Sequence, residues 1–439
     1  MPTLVFLGAG SVVFTRQLLT DLLRYADLPV LDLALHDVDV ERLEVARLTA
    51  LNVAEQLGRE VRIRASADRR EALAGADFVI NMIQVGGIAA TRLDLEIPAR
   101  YGLRQTIGDT TGVGGVFRAL RTFPVLSGIA RDMRELCPDA WFLNYTNPMA
   151  MNIWWFSQVA PDLRAVGLCH SVYWTVNDLC ELVGVPLEGT RYRAGGVNHQ
   201  AWLTEWSRDG EDLYPRLRER IASDPELERR VRVEIFRRIG FYPTETSEHS
   251  AEYLDWFLRD DAQIERFRLE PLQYLGISED NVAEFHTARE LLAAGSDLPL
   301  HEEGDAAEYA PQIIHSMLTG TRREIHVNVP NRGLIDNLPE GAVVEVPAVV
   351  DGDGVHPERF GPVPAAGAAL NRRYLSVAEL TIRAAAEGDP QLVRQAVLVD
   401  PNAASTLTPA RIWELCDELT RAHAAVLPRE LGGDLEGPR

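Results

Sequence analysis

The chain has 439 residues, with 65 acidic and 44 basic side chains and a formal net charge of -21. Every one of those basic residues is arginine, which excludes Schiff-base, Walker-type and Ser–Lys chemistry, because each needs a lysine amine. The acid excess also argues against nucleic acid or an anionic membrane surface as a partner, since both repel it.

An apolar fraction of 46% is ordinary for a globular enzyme-sized chain. The opening MPTLVFLGAG reads as a first β-strand, not a signal peptide, and no apolar run reaches transmembrane length. Cys137, Cys169, Cys180 and Cys416 show no framework spacing, so a reduced cytoplasm is the expected compartment.

In chain order, a strand over 4–7 leads into a helix through Leu23, then a strand over 31–36 and a helix over 38–57. Strands follow at 61–65 and 78–83, a helix at 118–135, and strands at 141–145 and 165–169. This alternation predicts βαβ units and a Rossmann-type, doubly wound parallel sheet in an α/β fold. From about Ala194 the rhythm breaks. Residues 216–240 read as charged and helical, 327–350 as β-rich, and 376–427 as helical again. The tail from Gly432 to Arg439 reads as frayed. The expected division is residues 1–195 for the first domain and 196–439 for a C-terminal α+β domain.

Gly8-Ala9-Gly10-Ser11 ends the first strand and opens a helix, the context in which a glycine turn receives a pyrophosphate. Asp37 ends the second strand, where an acid binds adenine-ribose hydroxyls, so NAD is expected over NADP. Val13 replaces the third glycine of the usual fingerprint. Gln84, in the run Ile83–Gly87, is expected beside the nicotinamide ribose.

Cys169-His170 ends one strand and Asn198-His199 the next apolar segment. Thiolate and imidazole are metal ligands, and a pair of them leaves positions open for water and substrate. The spacing alone suits a buried thiol and a core histidine, because no ligand pair is adjacent in sequence. Asn147, in Asn144-Tyr145-Thr146-Asn147-Pro148, lies at a strand's carboxyl end, where open α/β sheets bind ligands. Asp109 stands in a Gly/Thr-rich loop, and Ser247–Tyr253 groups titratable residues within two helical turns.

Together these pieces resemble glycoside hydrolase family 4, the NAD- and divalent-metal-dependent glycosidases. They are LGAGS (7–11), QTIGDTTGVGG (105–115), ALRTFP (119–124), NYTNPMAMN (144–152), GLCHSV (167–172), GGVNH (195–199), TSEHSAEY (246–253) and GLIDNLP (333–339). The His-Ser-Val that follows Cys169 is similar to the α-galactosidase, melibiose-cleaving branch. Branches acting on 6-phosphorylated sugars carry an acid after that cysteine, and the glucuronidase-like branch a glycine after the histidine.

The resemblance implies a C-terminal domain like that of lactate/malate dehydrogenases and a redox-assisted hydrolysis of α-glycosides, most of all α-galactosides. In it, NAD+ oxidises sugar C3, a base removes the C2 proton, a metal stabilises the enediolate, and the leaving group is eliminated before water adds. It further implies Cys169 and His199 as metal ligands and Mn2+ as the metal, although thiolate softness by itself favours zinc or iron. Asn147 matches a residue touching substrate near the nicotinamide, and Asp109 an acid beside the metal. His170 stands where phospho-sugar members keep an acidic proton donor. His249 and Tyr253 are joint candidates for the base, and Arg332 is a candidate substrate contact. The expected partner is a small-molecule glycoside, with a homodimer or homotetramer as the assembly. The alternatives are an α-glucosidase or α-glucuronidase/galacturonidase of the same family and, more distantly, a lactate/malate-type dehydrogenase.

Overall fold

The structure is a computed structural model that describes residues 1–300 and 308–435. Its first half contains β1 (Thr3–Leu7), α1 (Val12–Leu23), β2 (Leu31–His36), α2 (Val40–Gln56), β3 (Val61–Ser66), α3 (Arg69–Leu73), β4 (Phe78–Asn81), α4 (Gly87–Arg100), α5 (Gly112–Leu136), β5 (Trp141–Asn144), α6 (Met149–Val159), β6 (Arg164–Gly167) and α7 (Ser171–Val183). The central strands are short runs, fully buried in β2 and β4 and over Leu4–Leu7 of β1, as expected of a parallel sheet covered on both faces. Turn chemistry sets the boundaries. Asp39, for example, caps α2 by accepting from the backbone N–H groups of Glu41 and Arg42.

These strands pair in parallel in the order β3-β2-β1-β4-β5-β6, so the order reverses between β1 and β4. The predicted doubly wound sheet is therefore present, and its switch point marks where a ligand sits.

The second half contributes β7 (Thr190–Val197), β8 (Gln200–Arg208), β9 (Glu211–Asp212), α8 (Tyr214–Ser223), α9 (Val231–Ile239), β10 (Tyr242–Pro243), α10 (Ser247–Glu252), α11 (Asp261–Phe267), α12 (Gln273–Ala293), α13 (Tyr309–Thr319), β11 (Arg323–Pro330), β12 (Val343–Asp351) and β13 (Gly354–Pro357). Helices α14 (Ala365–Glu387), α15 (Pro390–Val399), α16 (Pro401–Thr406) and α17 (Pro409–Ala422) end the fold. The charged stretch after Arg216 is two helices, because Pro225 starts a 3-10 turn between them.

Strand β11 adds antiparallel to β6 by pairing Asn328 with Gly167, and β12, β7, β8 and β10 follow in turn. One continuous sheet thus joins both halves of the chain, and residue 195 falls within β7. Trp155 and Phe156 are buried, stacking on Phe123 at 4.8 Å and Phe142 at 4.3 Å, so they belong to the core. Of the tail, Leu435 is held by its N–H to the Leu427 carbonyl, and 436–439 lie outside the described residues. Among the described residues no helix is long and apolar enough to cross a membrane.

Candidate active site

A cavity of about 720 Å3 opens at the switch point, within the size range of small-molecule and cofactor sites. Gly8, Gly10, Ser11, Asp37 and Gln84, all singled out from sequence, line it. Gly8 has φ +84°, and a Cβ there would stand 2.9 Å from the Met82 carbonyl oxygen, so only glycine fits the turn. The Gly10 N–H donates to Asp37 Oδ2 at 2.8 Å, and Asp37 Oδ1 accepts from the Asp39 N–H at 3.0 Å. An acid, a glycine turn and the start of α1 facing one cavity are the parts a dinucleotide needs.

A hydrogen-bonded path leads from this cavity to the Cys/His cluster. Ile83, in the cavity wall, accepts from Thr146 Oγ1 at 3.0 Å. The next residue, Asn147, points its Nδ2 at Asp109 Oδ2, 2.9 Å away, and its carbonyl accepts from Arg118 Nε at 3.1 Å. Asn147 thus stands just behind the Ile83 wall of the cavity, the position expected of a residue that touches cofactor and substrate together. Asp109 Oδ1 accepts from the Thr110 hydroxyl at 2.7 Å, and that oxygen lies 3.2 Å from His199 Nδ1. Because the Thr110 proton goes to Asp109, its oxygen receives the His199 Nδ1–H. This fixes the tautomer and leaves the Nε2 lone pair facing Cys169 Sγ at 3.4 Å.

The electrostatics suit a cation. Burial, with help from His249, lowers the His199 pKa to about 4, so its imidazole is neutral and ready to ligate. Burial also pushes the Cys169 thiol well above its ordinary range, so a bound metal is what would draw off its proton. Burial works to raise Asp109, but Arg118, His249 and His199 outweigh it, and the carboxyl titrates below its usual range. Glu245 behaves in the same way, with His199, His249 and His170 overcoming its burial.

Glu245 was not singled out in the sequence. Its ligand atom and those of His199 and His249 lie within 4.8 Å of one another. Both His199 (φ +61°) and Glu245 (φ +73°) adopt the left-handed region, unusual for residues with side chains. The His249 ring packs 4.1 Å from that of His199, and His249 Nδ1 is buried without a hydrogen-bond partner among the described residues. This donor set of thiol, imidazoles and carboxylate fits a divalent metal with open positions.

Tyr253, Arg332 and His170 are the remaining sequence candidates. The Tyr253 hydroxyl donates to the Asn198 carbonyl at 2.8 Å, and burial raises its pKa well above the ordinary value, so the phenol is a poor base. Antiparallel pairing of Asn328 with Gly167 carries the chain after it back toward the start of β6. Arg332 is exposed just past β11, where the chain runs away from Cys169. His170 stays by the site, with Nδ1 2.8 Å from Glu308 Oε1. Burial opposes its charge, but Glu308 outweighs burial and raises its pKa.

The Gln105–Gly112 loop that carries Asp109 is held by a carboxyl of the protein's own, whose pKa burial raises to about 7. Buried Glu252 accepts from the backbone N–H groups of Thr106, Ile107 and Gly108 at 2.8, 3.0 and 2.9 Å. Thr110, Glu252 and Glu308 are roles that no local spacing signals.

Residues 3–185 match the family described as family 4 glycosyl hydrolase, and residues 194–403 its C-terminal domain. The chain is 40% identical over 433 residues to an alpha-galactosidase of Bacillus subtilis (strain 168), covering 98% of this chain and 99% of that one. A 6-phospho-alpha-glucosidase from gut microorganisms, solved in complex with NAD and Mn2+, superposes with a TM-score of 0.84 at 22% identity, covering 97% and 99% of the two chains. Malate dehydrogenase from Plasmodium falciparum is a more distant fold neighbour, at a TM-score of 0.51 and 14% identity over 90% of this chain and 100% of that one. Matched in both halves and along nearly its whole length, the chain belongs to glycosyl hydrolase family 4.

Proposed function

We propose that the protein is an α-galactosidase that needs NAD+ and a divalent metal, most readily Mn2+, and cleaves its substrate by redox-assisted elimination and addition. The observation that carries this reading is the unbroken path from the glycine-turn cavity through Asn147, Asp109 and Thr110 to His199 and Cys169. An ordinary glycosidase needs two carboxylates across the scissile bond and neither of these sites. When bound, NAD+ supplies hydride acceptance and return at sugar C3, and the metal supplies Lewis acidity toward the neighbouring oxygens.

The chain's own residues do the rest. Cys169 and His199 hold the metal, with Glu245 beside them. His249 offers its unpartnered Nδ1 as the base for the C2 proton, the role that Tyr253 is badly placed to fill. His170, whose proton Glu308 helps to hold, donates a proton to the leaving group. Asn147 and Asp109 orient the sugar between cofactor and metal. Residues 1–195 hold the dinucleotide, and 196–439 complete the site. A cytoplasmic homodimer or homotetramer is the assembly expected with this reading.

Galactose is preferred because the α-galactosidase relative at 40% identity spans almost the whole chain. The test is a panel of nitrophenyl α-glycosides with NAD+, Mn2+ and thiol. The α-galactoside is expected to turn over fastest, a C2 deuterium is expected to wash out into water, and NADH is expected not to accumulate. Steady NADH formation with a ketone product would instead mark a dehydrogenase. A faster α-glucoside or α-galacturonide would move the substrate within the family.

A further inference from the structure

The dinucleotide cavity has a wall that the nucleotide-binding half does not supply. Tyr274, Ser278, Asn281, Val282 and Phe285 line it, and all five lie on α12, from the C-terminal half of the chain. Their spacing puts them on one helical face, so α12 lies along the opening as a strap. Its two ends are attached differently from its middle. At the start, the Leu272 and Tyr274 N–H groups donate to the Gln105 and Thr106 carbonyls at 2.7 and 3.1 Å, the loop that leads to Asp109. At the far end, Phe285 and Ala288 form a small apolar cluster with Val12, Val45 and Leu298, separate from the main core. Arg42 ties this end to the glycine turn, donating from Nη1 to the Gly10 carbonyl at 3.0 Å with its guanidinium 4.4 Å over the Phe285 ring.

Three ion pairs fasten the strap, one to each surrounding helix. Glu284 pairs with Arg16 of α1, Arg289 with Glu41 of α2, and Glu279 with Arg92 of α4, the last at 2.6 Å. Most of these side chains are well exposed, so salt screens them, and the apolar cluster beneath is small. A segment fastened this way opens locally long before the sheet does.

We propose that α12 is the gate of the cofactor site: it closes over bound dinucleotide, with Ser278 and Asn281 offering polar contacts, and the three ion pairs set how fast the cofactor leaves. The proposal rests on the dinucleotide reading above. The exposed carboxylates of these pairs matter for the sign of the test. Removing negative charge beside an anionic cofactor would by simple electrostatics hold it more tightly, whereas unfastening a gate releases it faster.

The experiment is stopped-flow displacement of NADH, followed by its fluorescence, from wild type and from Glu41→Gln/Glu279→Gln/Glu284→Gln. Wild-type dissociation is expected to quicken with KCl. In low salt the triple variant is expected to release NADH roughly tenfold faster, each exposed pair contributing a factor of about two, and to respond less to salt. Dissociation from wild type that ignores salt, or a triple variant that releases NADH at the wild-type rate or more slowly, overturns the gate while leaving the cofactor site standing. Failure of wild type to bind NADH at all overturns the dinucleotide reading and the gate with it. The wild-type salt series needs no substitution, so it decides the matter even if the variant misfolds.

Discussion

Glu345 gives the sharpest test of how the sheet is built. It lies on β12 opposite Gly196 of β7, with 0% of its surface exposed. Oε1 accepts from Asn328 Nδ2 at 3.3 Å, and Oε2 meets no donor among the described residues. Burial, opposed by the weaker pull of the Asn328 hydrogen bond and helped by a smaller repulsion from Glu245, raises the carboxyl from 4.5 to about 8. The folded protein therefore keeps a proton here that the unfolded chain loses above its own pKa. Since the native state binds more protons in that interval, stability falls as pH rises. The contribution is fully present below pH 4.5 and is lost as pH climbs through about 8.

The slope is about 1.4 kcal/mol per pH unit, or roughly 4 kcal/mol between about pH 5 and pH 8. With an unfolding entropy of about 2.1 cal/mol/K per residue, this chain shifts its Tm by about 1 °C per kcal/mol. Glu345→Gln keeps the shape, still accepts from Asn328 and cannot titrate. Tm should therefore fall about 4 °C further in wild type than in the variant over that pH range. Scanning calorimetry with a chelator present keeps metal release from adding its own pH dependence. Parallel Tm curves for the two proteins would refute the assignment of a neutral buried acid to this position.

The remaining predictions concern the two binding sites. Glu245→Gln should weaken Mn2+ binding, read from the free-ion signal in electron paramagnetic resonance, at least about tenfold, because it removes a charged ligand on the scale that even outer partners reach. Unchanged NADH quenching is the control, and an unchanged Mn2+ titration would remove Glu245 from the ligand set. Thr110→Val breaks the relay from Asp109 to His199 Nδ1 and should lower Mn2+ affinity by about 10–100-fold, the cost of losing a partner that fixes a ligand's tautomer. An affinity within twofold of wild type would show that the relay is idle. Asp37→Ala removes the acceptor of the Gly10 N–H and of the expected ribose hydroxyls, and should weaken NADH about 10–100-fold. Fluorescence titration should also show a smaller gap between NADH and NADPH, and a preserved gap would place the selectivity elsewhere.

What could be read from the sequence follows from the range of the signals. The nucleotide half was legible because each strand, turn and helix of a βαβ unit is specified within a few residues, and the sheet pairs near neighbours in the chain. That Cys169 and His199 meet, 3.4 Å apart, was legible only through the family resemblance, because their spacing suited a buried thiol and a core histidine as well. The continuation of the sheet was not legible. Asn328 pairs with Gly167 across 161 residues, by 328 − 167, and nothing local announces which strand adds to β6. The same pairing bears on Arg332, because the direction of β11, invisible in its composition, carries the chain away from Cys169.

Glu245, His249 and Tyr253 show where spacing helps and where it stops. His249 and Tyr253 are four apart, and a helix presents them on one face. Both do meet the Asn198–His199 turn, His249 with its ring against His199 and Tyr253 with its hydroxyl on the Asn198 carbonyl. Glu245 precedes that helix and His199 follows β7, each in a left-handed conformation that costs a residue with a side chain about 1–3 kcal/mol. A left-handed residue breaks both periodicities on which sequence reasoning depends, so the face assigned to its neighbours by spacing no longer holds. That same break turns His199 and Glu245 out of their own elements and brings them together with His249. The strained positions are thus both the reason the ligand group escapes the sequence and the means by which the fold assembles it, with the packing of the continuous sheet supplying the stabilisation that holds the strain.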